Sequence, residues 1–316
     1  MAKNRDEILG RLLENRGRYI SGGSLSSDLK ISRTAVWKQV SELRKKGYLI
    51  SAIPNQGYRL EREPVLLDSE KLRGSSIFYY QSVDSTNLIA RRHADEGAPG
   101  YSIVVAEEQE TGRGRLGRSW FSPRASGLWF SMILRPHMLT PANAGPVTLV
   151  AAAILANHFA GQYGLPLKIK WPNDLLIRGK KVGGILTELR GELDLVEYLV
   201  VGIGINVNQE QEEFPKDLRK ISTSLSIESG EIYNRTDLLL SLRDSLVRGF
   251  NRFFTDGFAP FYMPWKKYNV TLGQKVTLSW QGGLLQGKAL QLTLNGALQI
   301  QDNRGEIHTI NYGELI

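Results

Sequence analysis

The chain has 316 residues, more than a single hydrophobic core usually supports, and this length predicts two or three domains. A hydrophobic fraction of 41% with 23% charged residues is typical of a globular protein and excludes a disordered or fibrous chain. No stretch approaches the roughly 20 apolar residues of a membrane span, and the first residues lack the apolar segment of a signal peptide. We therefore expect a cytoplasmic protein with no membrane partner. The absence of Cys excludes disulfides, thiolate metal sites and cysteine nucleophiles.

The net charge of +8 lies almost entirely in the first fifth of the chain. Residues 1–62 contain 13 Lys and Arg but six Asp and Glu, a net charge of +7, whereas residues 63–316 have a net charge of +1. A small basic segment ahead of a balanced body indicates an anionic partner for that segment, most often nucleic acid. A merely solvated terminal domain is the alternative.

The apolar pattern of the basic segment predicts three helices followed by a hairpin, with a Gly-rich break at Gly22-Gly23. The expected elements are helices over 6–15, 24–30 and 33–46, and strands over 48–53 and 57–60. This layout is typical of a winged helix-turn-helix. In that fold the second and third helices form the helix-turn-helix pair, and the third helix enters the major groove of DNA. The expected DNA contacts lie at the start of the third helix, which Ser32 would also cap: Ser32, Arg33, Thr34, Trp37 and Lys38. At the far end of that helix, Arg44 to Lys46 would serve phosphates or solvent.

A glycine motif in the central region resembles a dinucleotide site but fails its other requirements. The segment from Gly112 to Gly117 matches the pattern G-x-G-x-x-G and follows an expected strand over 101–106. A dinucleotide site also needs a helix opening on the glycines and an acidic residue about 20 positions later. A strand pattern over 127–134 follows instead, and no Asp or Glu occurs between Glu110 and Asp174. We therefore reject the dinucleotide interpretation.

The acid-free interval itself predicts an anion-binding loop. It runs from Thr111 to Asn173 and contains seven Lys and Arg. Glycines let a backbone approach a ligand closely, and guanidinium groups match phosphate or carboxylate oxygens. A solvated basic loop is the alternative.

Three further places bring polar residues to the end of an apolar element. The segment Lys170-Trp171-Pro172-Asn173-Asp174 ends a strand, because proline lacks the amide donor and extends its neighbour. A hairpin follows, with Lys181 opening its second strand. A buried strand over 198–205 delivers Asn206 to its end. Upstream, Asp84 or Ser85 would cap a helix whose polar end is also suited to a ligand's polar head.

The last part of the chain predicts one long helix and a small β-barrel. The helix is expected over 237–254, where the apolar residues form a broad stripe. Strands are expected over 275–280, 284–292, 297–301 and 306–310, and Asn295-Gly296 is a strong hairpin signal. Short antiparallel strands of this kind predict an SH3-like barrel.

Taken together, these motifs resemble the biotin-protein ligases. The order is Ser85-Thr86-Asn87, Gln109, the loop from Gly112 to Trp120, the segment from Lys170 to Asp174, Lys181-Val182-Gly183-Gly184, and Gly204-Ile205-Asn206. With the winged helix in front, the chain resembles the bifunctional biotin ligases and biotin operon repressors over essentially its full length. The resemblance implies an α+β multidomain fold. Its parts would be a winged helix-turn-helix at 1–63, a catalytic α/β domain like class II aminoacyl-tRNA synthetases at 64–270, and the SH3-like domain at 271–316.

The resemblance also implies an activity. Biotin and ATP, with Mg²⁺, would give biotinyl-5'-AMP and pyrophosphate. A lysine on a biotin carboxyl carrier domain, of acetyl-CoA carboxylase or a related enzyme, would then attack the anhydride. Biotinyl-AMP would be the corepressor of biotin synthesis or uptake genes, on a ligand-promoted homodimer that binds operator DNA through residues 1–62. The alternatives are a lipoate-type ligase, a ligase with an altered or lost DNA role, and a biotin sensor without catalysis.

The resemblance carries roles to individual residues. Those expected at biotin or biotinyl-AMP are Ser85, Thr86, Asn87, Gln109, Arg113, Gly114, Arg115, Arg118, Trp120, Lys181 and Asn206. Asn173 and Asp174 are expected at ATP or its metal. Lys181 and Arg115 are the catalytic candidates, because the chemistry needs alignment and charge neutralisation but no protein nucleophile. Leu116 stands where some members of the family have a further Arg, which leaves the role of that charge open.

Overall fold

The computed structural model describes residues 2–192, 194–280 and 283–316. They form two compact units. The first runs to Leu67 and includes Pro123–Ser126, and the second comprises Asp68–Ser122 and the described chain from Gly127 onward. The elements of the first unit are α1 (Ala2–Glu14), α2 (Gly22–Leu29), α3 (Arg33–Lys45), β1 (Leu49–Ile53) and β2 (Gly57–Arg62).

The first unit confirms the predicted order of three helices and a hairpin. One apolar core joins its elements, and it consists of Ile8, Leu12, Leu25, Val36, Val40, Leu43, Ile50 and Leu60. β1 and β2 pair antiparallel. The expected break at Gly22-Gly23 is wrong, because α2 begins at Gly22, where Ser21 caps it by accepting a hydrogen bond from the Ser24 amide.

Arg44 has a structural role that the sequence did not reveal. Its guanidinium donates two hydrogen bonds to the Ile50 carbonyl, at 3.0 and 2.7 Å. The end of α3 is thereby tied to β1. Arg44 is thus used in holding the hairpin, and the expectation of a phosphate or solvent contact for it is corrected.

The second unit is built on a seven-stranded mixed sheet. Its first elements are α4 (Ser69–Leu72), β3 (Ile77–Tyr80), α5 (Thr86–Asp95), β4 (Ile103–Ala106), β5 (Gly127–Leu134), α6 (Pro146–Tyr163), β6 (Lys168–Lys170), β7 (Asp174–Ile177), β8 (Lys180–Gly191) and β9 (Val196–Asn206). The strand order is β3-β4-β5-β9-β8-β7-β6, and only the pair β3 and β4 is parallel. A dinucleotide fold needs a mostly parallel sheet, so this topology agrees with the rejection of that interpretation.

Helix α6 is the buried helix of this unit. The segment Pro141–Tyr163 has a mean hydropathy of 1.4 and is long and apolar enough to cross a membrane by length and composition. The expectation that no segment comes near that length is therefore corrected. However, 72% of the most apolar 18-residue stretch of this segment is buried within the protein, as in the core helix of a globular unit. The helices that follow the sheet are α7 (Leu225–Ser229), α8 (Arg235–Asp256) and α9 (Ala259–Tyr268), and α6 packs against α8 and α9.

A five-stranded antiparallel sheet ends the chain. Its strands are β10 (Lys275–Trp280), β11 (Gly283–Leu292), β12 (Leu298–Asp302), β13 (Ile307–Ile310) and β14 (Glu314–Leu315), in the order β13-β12-β11-β10-β14. The four predicted strands agree with β10 to β13 within two residues. β14 was missed because two residues carry no periodicity, yet its pairing with β10 brings the end of the chain back to the sheet.

A buried ion pair joins α8 to the two strands, β4 and β5, that flank the loop from Gly112 to Trp120 (the Gly-Arg loop). Arg235 opens α8 with 4% exposure, and its Nη2 lies 2.8 Å from Oε2 of Glu107, which is fully buried at the end of β4. Its Nη1 donates to the Gly127 carbonyl at the start of β5, at 2.9 Å. The ion pair thus fixes both ends of the segment 108–126. Neither residue was singled out in the sequence.

Candidate functional site

One cavity of the second unit is lined by nearly all the site residues expected there. The residues that line it are Ser85, Thr86, Asn87, Gln109, Arg113, Gly114, Arg115, Arg118, Trp120, Asn173, Asp174 and Lys181. They come from the start of α5, from the loop after β4, from the turn between β6 and β7, and from β8. The folded chain therefore brings together motifs that are separated by up to about a third of the sequence.

Asn206 lies apart from this group. It is buried at the end of β9, where its amide donates to the Thr223 carbonyl at 2.9 Å and its side-chain oxygen accepts from Gln209 at 3.3 Å. The structure thus ties Asn206 to the segment that follows β9, and does not place it among the residues that line the cavity.

The N-terminus of α5 forms the polar wall of the cavity. Ser85 occupies the N-cap position but makes no side-chain capping bond, so the interpretation of this residue as a plain cap is corrected. Thr86 and Asn87 follow in the first turn, and both are buried. Oε1 of Gln109 accepts from the Thr86 amide at 2.8 Å. These buried polar atoms suit a ligand head group that also carries donors and acceptors.

The Gly-Arg loop closes on itself through its backbone. The Gly114 amide donates to the Arg118 carbonyl at 2.7 Å, and the Trp120 amide donates to the Gly112 carbonyl at 2.8 Å. At its tip Leu116 is 73% exposed with φ 54°, in the left-handed region that a side chain with a Cβ disfavours. The position of the family's further Arg is therefore an exposed, strained tip.

Two half-buried cations line the same cavity. The Lys181 ammonium is 2.6 Å from Oδ1 of Asp174 and 5.3 Å from the centre of the Trp120 ring. Arg115 donates to Oδ1 of Asn173 at 3.3 Å. Burial lowers the pKa of the Arg115 guanidinium from its ordinary value, while the charges of Asp174 and Glu314 oppose that shift. This part of the cavity suits an anion, because burial weakens the screening of both cations.

Trp120 is held against the sheet by a glycine. A Cβ built on Gly204 of β9 would lie 2.5 Å from Nε1 of Trp120 and 2.7 Å from Cε2, so only glycine allows this contact. Nε1 of Trp120 is buried and has no hydrogen-bond partner among the described residues. A buried donor of this kind is costly unless another group accepts its proton.

The end of the chain contributes two lining residues that the sequence did not reveal. Glu314 and Leu315 of β14 line the same cavity. Glu314 forms an ion pair with Arg118, and the Leu315 carbonyl accepts from Lys170 at 3.2 Å. No local pattern marks these residues, because only the pairing of β14 with β10 brings them to the cavity.

The donor set of the cavity does not fit a magnesium ion held by the protein. Mg²⁺ prefers carboxylate and carbonyl oxygens and keeps several waters. The carboxylates that line the cavity are Asp174 and Glu314, and each is paired with a cation, Lys181 or Arg118. The side-chain oxygen of Asn173 accepts from Arg115. A divalent ion held by these residues would therefore have to displace these pairs.

The residues predicted for DNA contact share an exposed face of the first unit. The Ser32 hydroxyl caps α3 by accepting from the Ala35 amide at 3.1 Å. Arg33, Thr34, Trp37 and Lys38 are exposed, and the Trp37 side chain is 56% exposed. An aromatic residue of this size on an exposed basic helix is typical of a contact surface.

Comparison with known proteins identifies the family. Residues 78–206 match the biotin/lipoate A/B protein ligase family, and residues 4–59 match an HTH domain. The bifunctional ligase/repressor BirA of Bacillus subtilis is 37% identical over 310 residues, which cover 95% of each chain. The chain belongs to the biotin-protein ligase family. BirA of Escherichia coli is 31% identical over 297 residues, which cover 92% of this chain and 91% of the relative.

The fold agrees with a solved member of the biotin-protein ligase family. The biotin protein ligase from Aquifex aeolicus, in complex with biotin and ATP, aligns with a TM-score of 0.66 and 31% identity. The alignment covers 76% of this chain and 97% of that one.

We predict that Gly204→Ala disturbs the cavity by displacing Trp120. The new methyl group would overlap the indole, and a displacement of about 1 Å in a binding site can cost about a hundredfold in activity. Biotin affinity measured by calorimetry should fall at least about tenfold. Gly161→Ala, on α6 with no atom within 4 Å of the new Cβ, is the matched control and should bind as the wild type does. Equal affinities for the two variants would contradict the prediction.

Proposed function

We propose that this chain is an ATP-dependent biotin-protein ligase that also represses transcription of biotin synthesis or uptake genes. It joins biotin and ATP to give biotinyl-5'-AMP and pyrophosphate, and it transfers the biotinyl group to a lysine of a biotin carboxyl carrier domain. The observation that carries the proposal is the one cavity that is lined both by a polar wall and by two half-buried cations. The exposed basic helix of the first unit supports the second activity. The use of DNA and ATP as partners supports a cytoplasmic location.

We assign the two activities to different domains. Residues 1–63 form the DNA-binding winged helix, residues 64–270 the catalytic domain with a fold like class II aminoacyl-tRNA synthetases, and residues 271–316 an SH3-like barrel. The antiparallel order of the five last strands supports the barrel. The contact of β14 with the cavity gives the last domain a part in ligand binding.

In the first step, a carboxylate oxygen of biotin attacks the α-phosphorus of ATP, and the bond to pyrophosphate breaks. Both reactants are anions, so their approach requires nearby positive charge. Lys181 and Arg115 supply it from fixed positions beside Asp174 and Asn173. When the ligands bind, Lys181 exchanges its contact with Asp174 for the reacting oxygens. Mg²⁺ enters as part of the MgATP substrate, and Asn173 and Asp174 remain candidates for contact with the nucleotide.

In the second step, the neutral amine of the acceptor lysine attacks the carbonyl carbon of biotinyl-AMP. The bond from that carbon to the phosphate oxygen breaks, and AMP leaves. No enzyme nucleophile takes part, in agreement with a chain that has no Cys. The Gly-Arg loop protects the anhydride from water, and the ion pair of Arg118 with Glu314 joins the loop to β14.

The cavity favours biotin over the alternative of lipoate. The head of lipoate is an apolar dithiolane, whereas the buried Thr86 and Asn87 and the half-buried Gln109 offer polar groups to a ureido ring. A sensor without catalysis would not require Lys181 and Arg115 to converge on the same cavity. A ligase that has lost its DNA role would not require Trp37 and Lys38 to be exposed on a capped helix.

We predict that biotin drives the exchange of labelled pyrophosphate into ATP. Lys181→Ala should lower the exchange rate about a hundredfold or more, because it removes a positioned charge from the transition state. The matched control is Lys180→Ala, which alters the adjacent lysine of β8 outside the cavity and should retain activity. Exchange supported by lipoate or octanoate but not by biotin would overturn the biotin assignment.

We predict that the first unit is required for DNA binding but not for adenylate synthesis. A selection of binding sites with biotinyl-AMP present would provide the operator sequence. Deletion of residues 1–62 should abolish binding to that sequence in a gel-shift assay and leave adenylate synthesis largely intact. Lys38→Ala should weaken binding and lower the salt dependence by about one unit of slope if Lys38 contacts a phosphate. Lys266→Ala, which removes an equal charge from an exposed position of α9 in the second unit, is the control. Unchanged affinity after the deletion would refute the domain assignment.

We predict that biotinyl-AMP promotes a homodimer. If the adenylate orders the Gly-Arg loop, it acts as corepressor by binding the dimer more tightly than the monomer. Sedimentation with and without biotinyl-AMP should show a lower dissociation constant of the dimer when the ligand is present. Identical constants would contradict this coupling.

A further inference from the structure

A single polar side chain interrupts the most deeply buried strand behind the polar wall of the cavity. Strand β5 has the sequence Gly-Leu-Trp-Phe-Ser-Met-Ile-Leu, and Ser131 is fully buried within it. Its Oγ lies 2.6 Å from Oδ1 of Asn87 and 2.8 Å from Oγ1 of Thr86. Ser131 does not itself line the cavity, so it can act on a ligand only through these two residues.

The contacts of Asn87 decide where the proton of Ser131 lies. The Asn87 amide nitrogen donates to the Leu186 carbonyl at 3.2 Å and to the Glu188 carboxylate at 2.8 Å. These two bonds use both of its protons and leave the Asn87 oxygen facing Ser131. An amide oxygen only accepts, so the one proton of the Ser131 hydroxyl must be donated to Asn87.

The position of the Ser131 proton also decides whether the Thr86 hydroxyl donates or accepts. With the proton of Ser131 on Asn87, the oxygens of Ser131 and Thr86 would repel each other at 2.8 Å unless Thr86 donates its proton to Ser131. The other acceptor near Thr86 is Oε1 of Gln109, at 3.1 Å, which already accepts from the Thr86 amide. Ser131 is the closer acceptor and Gln109 is already engaged, so we assign the Thr86 proton to Ser131. Thr86 therefore has only lone pairs to offer to a ligand in the cavity.

Close packing keeps these side chains in register. Ser131 pairs with Gly202 across the sheet. A Cβ on Gly202 would lie 2.0 Å from Oδ1 of Asn87, so the glycine makes room for the Asn87 side chain. From Gln109 the bonds continue toward the Gly-Arg loop: Nε2 donates to the Ser122 hydroxyl at 2.8 Å, which donates to the Trp120 carbonyl at 3.2 Å.

We propose that Ser131 is a positioning residue that determines ligand specificity, because it makes Thr86 an obligate hydrogen-bond acceptor toward the head of the ligand. The cavity then accepts a ring that presents an N–H group to Thr86 and rejects one that presents an oxygen there. The proposal rests on the proposed function, since the N–H group is that of the ureido ring of biotin.

The test compares biotin with two analogues that each differ from it in one group. The probes are biotin and the two cyclic carbamates in which one ureido N–H is replaced by oxygen, with affinities measured by calorimetry on the full chain. For the carbamate that places its oxygen at Thr86, the wild-type protein should prefer biotin by about ten- to a hundredfold, the effect of losing one buried hydrogen bond. In Ser131→Ala, the acceptor left beside Thr86 is Oε1 of Gln109, which lies at 3.1 Å and is already used by the Thr86 amide. The Thr86 hydroxyl can then turn its proton toward the ligand, and this preference should fall at least about tenfold.

The controls separate polarity from packing. Ser102→Ala is the matched variant, because Ser102 is equally buried beside β4 and its hydroxyl has no hydrogen-bond partner among the described residues. It should keep the wild-type preference. Ser131→Cys retains the shape and a weak donor, and should give an intermediate preference. The ratio of two affinities does not depend on the fraction of folded protein, so partial unfolding of a variant does not imitate the result.

The outcomes distinguish the proposal from the function on which it rests. A wild-type preference that persists unchanged in Ser131→Ala, or one that Ser102→Ala lowers equally, overturns the role of Ser131 while leaving the ligase intact. A wild-type protein that binds neither biotin nor the carbamates overturns the proposed function itself.

Discussion

A buried carboxylate must be paired, and in this protein that requirement fixes the base of the ligand-binding loop. Glu107 has no exposed surface, and its oxygens meet Arg235 at 2.8 Å and the Tyr79 hydroxyl at 3.0 Å. Because Arg235 also holds the Gly127 carbonyl, one guanidinium joins the strands on both sides of the loop. Removal of one partner from such a pair typically lowers the free energy of unfolding by about 3–5 kcal/mol. The ends of the loop are therefore held firmly in place.

The tip of the same loop is held differently. Leu116 is exposed and occupies the left-handed region, which costs roughly 1–2 kcal/mol for a residue with a Cβ. A loop with fixed ends and a strained tip can change conformation at the tip without disturbing the strands. This division suits a site that must admit two reactants and then exclude water from their product.

The local parts of the structure could be predicted from the sequence, and the non-local parts could not. The helices of the first unit follow from apolar spacing and a Ser32 cap, both of which are properties of adjacent residues. Asn206 could not be placed from its strand, because its amide turns to Thr223 on a later segment. Ser131 did leave a signal, as a lone polar residue in an apolar strand, but its role depends on the positions of Thr86 and Asn87 in another element.

The cations of the acid-free interval, residues 111–173, have partners in the fold that their sequence neighbours do not indicate. These cations have no acidic neighbours in the chain, yet Arg118 pairs with Glu314 of the last strand, and Arg135 donates to the Ala98 carbonyl at 2.8 Å. Lys181, just beyond the interval, pairs with Asp174. A ligand carboxylate or phosphate at Lys181 or Arg118 therefore has to replace a carboxylate that is already present. Such an exchange lowers the net gain from each contact, which leaves more of the selectivity to the polar wall of the cavity.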